Sequence, residues 1–170
     1  MKIAMFTLML SLALVSAAYA AGEAAKAKQP PVINIAQTVV KMPLAKGVSM
    51  NDAVEAMKIR ANTLNIKLVA EMPLSKQIEA MGEKSRRIDI YQFCDPLTAK
   101  KMVEYDINFS AYLPCRIALV EDAKGQGWLV MMNLDMFIQD PKLDPALKAD
   151  AIKVRNTLNE IMQAGSTGAW

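Results

Sequence analysis

No histidine occurs anywhere in the 170 residues, and this absence removes more chemistry than any other feature of the chain. Without an imidazole there is no Ser-His-Asp or Cys-His arrangement to activate a nucleophile, no histidine metal site and no Cys-x-x-Cys-His haem attachment. Cysteine is nearly as scarce, with only Cys94 and Cys115. Their separation is far too long for a Cys-x-x-Cys redox motif. The seven glycines form no phosphate-binding loop, and no Ser-x-x-Lys follows residue 20, so nucleotide handling and that route to acyl transfer are not expected. A formal net charge of +3 leaves no electrostatic footprint for nucleic acid. No residue is nominated as catalytic, no cofactor is expected and no metal site is assigned.

What is present begins with an export pattern. Lys2 is followed by an uncharged apolar run and then by Ala18-Tyr19-Ala20, a small-x-small cleavage site. Residues 1–20 therefore read as a signal peptide cut before Ala21. The run is long enough to span a bilayer if left uncut, but the cleavage pattern favours removal. The residue directly after the cut is Ala21 and not cysteine, so no lipid anchor is expected. Removal leaves 150 residues with a net charge of +2, a periplasmic or secreted protein with no membrane attachment. Residues 21–33 are small, polar and proline-bearing, the composition of a flexible lead. Residues 34–164 should form a single domain, since a chain of this length can bury an ordinary core. Residues 165–170 are expected to fray.

The domain reads as alternating strands and helices. Asn34 to Leu44 is rich in β-branched residues and predicts a strand. Ser49 with Asp52 forms a variant capping box, after which Met50, Ala53, Met57, Ala61 and Leu64 recur at helical spacing. Ile66 to Met72 alternates as a second strand, and Leu74, Ile78 and Met81 can line a short helix. In RRIDIYQFC the period of two places Ile88, Ile90, Gln92 and Cys94 on one face, taken as the apolar one. Asp95-Pro96 then caps and starts a helix over Leu97 to Val103. LPCRIALV is a strand with Leu113, Cys115, Ile117 and Leu119 on one side. Asp122 to Gly127 should turn a hairpin, returning as a strand to Ile138. On it Trp128, Val130, Met132, Leu134, Met136 and Ile138 share a face, so Trp128, Met132, Leu134, Ile117 and Leu119 are the expected core. Asp144-Pro145 starts a terminal amphipathic helix.

Cys94-Asp95-Pro96, Leu113-Pro114-Cys115 and the acidic hairpin at Glu121-Asp122, in this order, resemble the bacterial and archaeal family known as domain of unknown function 302, over about Met42 to Ile138. The resemblance implies an α+β domain with an antiparallel sheet, helices packed on one face and β-α-β-β-β-β-α order, similar to the TATA-binding-protein type of fold. It also implies a frequent homodimer, with no established activity. This chain would be an exported bacterial member.

The cysteine pair carries most of the chemical potential. Adjacent antiparallel strands could bring Cys94 and Cys115 within disulfide reach, and an oxidising compartment favours a bridge. A reactive dithiol or soft-metal site is the less favoured alternative. Ten methionines follow residue 20, which raises copper handling, yet Met50, Met57, Met132 and Met136 fall on the expected apolar faces, where core packing is the favoured reading. Arg86, Arg87 and Arg116 could gather into an anion site if their strands pair. Glu121 and Asp122 could serve as acid and base, although carboxylates entering a turn are ordinary turn chemistry. The function expected is a non-catalytic exported binding or accessory module for an unknown small molecule or protein, with Cys94, Cys115 and Arg116 as candidate binding residues. A periplasmic thiol-redox or copper-handling protein using Cys94 and Cys115 is the alternative.

Overall fold

The structure, a computed structural model, describes residues 32–169. The expected signal peptide and nearly all of the expected flexible lead lie outside the described residues. Five strands, β1 (Val39–Pro43), β2 (Lys67–Pro73), β3 (Ile88–Cys94), β4 (Cys115–Glu121) and β5 (Gly127–Met132), form one sheet in the order β1-β5-β4-β3-β2. Every neighbouring pair is antiparallel, so the domain is α+β, as the order of elements implies. Among the described residues no helix is long and apolar enough to cross a membrane.

The helices start where local chemistry directs them. Ser49 and Asp52 close a reciprocal capping box at α1 (Met50–Thr63). The Asp95 carboxylate accepts from the Leu97 and Thr98 amides, and Pro96 opens α3 (Pro96–Tyr105). Asp144 does the same for α5 (Pro145–Thr167) through Ala146 and Leu147. A short α2 (Leu74–Ala80) links β2 to β3. Helices α1 and α5 pack together over one face of the sheet, burying Met57, Leu158, Ile161 and Met162 against Phe93, Ile117, Leu119 and Leu129.

That buried face is the reverse of the one expected on two strands. In β3 the inward residues are Asp89, Tyr91 and Phe93, and in β5 they are Gly127, Leu129 and Met131. Ile88, Ile90, Trp128, Val130 and Met132 lie on the opposite, open face and are only half-buried. Both faces of these strands are apolar, so alternation alone does not choose between them; ring size and the handles of Trp128 do. The Trp128 indole donates to Asp122 at 2.9 Å and its ring carries the Lys41 ammonium at 4.2 Å, which suits an amphipathic, half-wet position. Asp89 tolerates burial because Arg87 pairs with it at 2.7 Å and Ser75 donates to it. Ile117 and Leu119 are buried as expected.

Boundaries also differ: the first strand starts at Val39, not Asn34, because the Asn34 side chain accepts from the Ala36 amide and caps a 3-10 turn over Ile35–Gln37. The last strand stops at Met132, not Ile138, because the Asn133 side chain accepts from the Asp135 amide and turns the chain into a short α4 (Asp135–Ile138). Helix α5 runs on to Thr167, with Ala164 and Gly165 buried, so the stretch from 165 expected to fray is packed structure through that residue.

Candidate functional site

Cys94 ends β3 and Cys115 begins β4, yet they are not joined: both are free thiols, and the expected disulfide is absent. The register explains this. Cys115 stands opposite Phe93, so Cys94, the last residue of its strand, is offset by one residue from the position directly across from Cys115. Both are half-buried. Burial pushes the Cys115 thiol up to about 11, with the neighbouring Cys94 adding to the rise and Arg116 only partly opposing it. Burial and then Asp95 also raise Cys94. Thiols held in the neutral form at neutral pH are poor nucleophiles and poor metal ligands.

A pH effect on stability follows. A folded-state value near 11 against an ordinary 9.0 means the folded protein holds this proton more tightly than the unfolded chain. That contribution is intact below about pH 9 and is lost as the pH rises towards 11, on the order of 2 kcal/mol in all. Urea unfolding at pH 8 and at pH 11, on wild type and on Cys115→Ala, should show a steeper alkaline loss for wild type by about that amount. Equal losses would mean that Cys115 is not held neutral.

Two hollows adjoin at this end of the sheet. On the helix side, a cavity of about 80 Å³ lies between the strand ends, α3, the 3-10 turn over Ile107–Tyr112, α4 and α5, and is lined by Cys94, Cys115, Phe93, Met102, Phe109 and Leu158 among others. On the open face, a groove of about 560 Å³ runs over Val39, Ile90, Arg116, Ala118, Val130 and Met132. Tyr112, Cys115, Leu134 and Phe137 line both, and the rings of Tyr112 and Phe137 meet at 4.4 Å between centroids. The three candidate residues are thus brought to one region: Cys94 at the cavity, Arg116 at the groove and Cys115 at both.

The other candidates disperse. Arg87 turns to the helix side, where Asp89 and Asn51 accept from its guanidinium, while Arg116 occupies the open face, so no arginine cluster forms between them. Asp122 binds the Trp128 indole and the Lys124 and Gln126 amides, and Glu121 accepts from the Arg87 amide. These are hairpin contacts, not an acid and base pair. A polar cleft of about 640 Å³ surrounds Arg87, Asp89, Tyr91 and Ser75, but its charges are largely matched internally, with Lys58 on Glu71 at 2.9 Å as well as Arg87 on Asp89. Sequence reasoning missed the groove walls Tyr112, Leu134, Met136 and Phe137 as a site, because a strand carried through to Ile138 spreads the last three along a sheet. The Asn133-x-Asp135 turn is the signal that locates them.

A wholly antiparallel sheet with its helices on one face, and an apolar groove on the other, defines an α+β sheet-and-helix class of domain. The chain belongs to the family described as domain of unknown function DUF302, which it matches over residues 40–165. The match extends past the hairpin through most of α5. The crystal structure of the uncharacterized conserved protein DUF302 from Bacillus stearothermophilus is similar, with a TM-score of 0.62 and 18% identity over 75% of this chain and 97% of that one. At that identity the likeness is one of fold. No curated protein matches the chain.

Proposed function

We propose that this protein is an exported, non-catalytic module that binds a small, largely apolar molecule in the groove on the open face of its sheet. The observation that carries the reading is the groove itself, about 560 Å³ of space walled by aliphatic, methionine and aromatic side chains, a size within the usual range of small-molecule sites. The export half rests on Lys2, the apolar run and Ala18-Tyr19-Ala20. A thiol-redox or copper role draws no support from the site, since the two thiols are unjoined and their ionisation is disfavoured.

The neutral fluorophore N-phenyl-1-naphthylamine tests the binding reading. Wild type should enhance its emission saturably with one site per chain. Ala118→Trp, which fills the groove from a half-buried position on the open face, should weaken that binding at least ten-fold while the thermal transition stays in place. Non-saturating emission, or equal affinity in the variant, would defeat the proposal.

A further inference from the structure

The groove's walls are apolar apart from Thr38, the Tyr112 hydroxyl, the Cys115 thiol and one charge, Arg116. Arg116 is exposed, and among the described residues its side chain has neither a hydrogen bond nor an ion pair. Its cross-strand neighbour on β3 is the neutral Gln92, whose amide is directed to the Met72 sulfur at 3.2 Å. The carboxylate closest in sequence to the groove wall, Asp135, is engaged by Arg155 from α5. The strands present no carboxylate on this face: the pairing puts Lys41, Arg116 and Lys67 there, and turns Asp89 and Glu71 to the helix side. Lys41 already rests on the Trp128 ring.

An apolar trough with a single unmatched guanidinium is complementary to one class of ligand. Such a molecule has an apolar body and one planar anionic head, since a guanidinium presents parallel N–H donors that match a carboxylate in two-point fashion. An uncharged apolar molecule would fill the trough and leave Arg116 to water. A polar anion would reach Arg116 and gain nothing from the walls. We infer, on the basis of the binding role proposed above, that the ligand is a soluble anionic amphiphile, a medium-chain or aromatic carboxylate whose chain lies over Val130 and Ala118 and whose head pairs with Arg116. The head is held at an exposed position, so the preference it confers weakens with salt.

Displacement of N-phenyl-1-naphthylamine by decanoate and by decanol separates this inference from the proposal beneath it. Wild type should be cleared by decanoate at a concentration about ten-fold lower than by decanol at low ionic strength, and the gap should narrow in 0.5 M salt. In Arg116→Gln the two should become equal, because the roughly ten-fold advantage of decanoate over decanol is lost. Equal displacement by both in wild type, or a preference that survives in Arg116→Gln, overturns the anionic head while leaving apolar binding intact. No displacement by either overturns both. Two other occupants would also overturn it: phosphatidylglycerol vesicles that sediment the protein while decanoate fails to displace, or a dimer in sedimentation equilibrium whose formation excludes the fluorophore.

Discussion

Leu129→Ala should destabilise the folded protein by about 2 to 5 kcal/mol in urea unfolding, while Trp128→Ala, one residue away, should cost only about 1 to 2 kcal/mol. The difference lies in which side of β5 meets the helices. Leu129 has no exposed surface and stands beside Leu119 and Met42 in the sheet, under α5. Removing its side chain leaves a cavity that packed neighbours such as Ile161 and Met162 can close only in part. Trp128 is half-buried on the open face, and its loss forfeits one hydrogen bond to Asp122 and one cation–π contact with Lys41, both on the side of the sheet away from the helices. A larger loss at Trp128 than at Leu129 would place the opposite face of β5 against the helices.

That comparison also marks where the sequence was readable and where it was not. Capping residues are local, and each was legible: Ser49 with Asp52, Asp95 with Pro96, and Asp144 with Pro145 all start helices where their side chains can reach free amides. The hairpin was legible for the same reason, since the Asp122 carboxylate folds the turn by accepting from Lys124 and Gln126. The inward face of β3 and β5 was not, because both registers offer apolar side chains and the choice is made by partners distant in sequence. Tyr91 and Phe93 win over Ile88 and Ile90 once α1 and α5 need large surfaces to pack against, and Asp89 can follow them inside only because Arg87 comes with it.

The candidate site shows the same division. Cys94, Cys115 and Arg116 were drawn together by motif spacing and do border adjoining hollows. The bridge between the thiols was not decidable from spacing, since the one-residue offset that leaves Cys115 opposite Phe93 and not Cys94 is invisible in the chain. Phe137 and Leu134 reach the site only because Asn133 ends the strand, which an alternation count overrides when hydrophobic residues continue on both sides of the turn.

Gly165→Val should be the most damaging single change near the end of the chain, costing about 3 kcal/mol, with Gly165→Ala costing about 1 kcal/mol or more. Intrinsic helix preference points the other way, because replacing glycine by alanine within an exposed helix ordinarily stabilises by about 1 kcal/mol. Packing decides the sign here. A Cβ at position 165 would lie 2.6 Å from the Met57 Cγ, 2.9 Å from the Leu129 Cδ1 and 3.2 Å from the Ala53 carbonyl oxygen. Met57 and Leu129 have no exposed surface into which to retreat, and the Ala53 carbonyl belongs to the backbone of α1. The glycine is therefore what lets α5 approach α1 this closely, and valine would add two methyl groups where one carbon already collides. Thr167→Ala, two residues further on and exposed, should change stability by less than about 0.5 kcal/mol. Guanidinium unfolding of the three variants checks the pattern; a neutral or stabilising Gly165→Ala would mean that the chain from 165 onward frays away from α1.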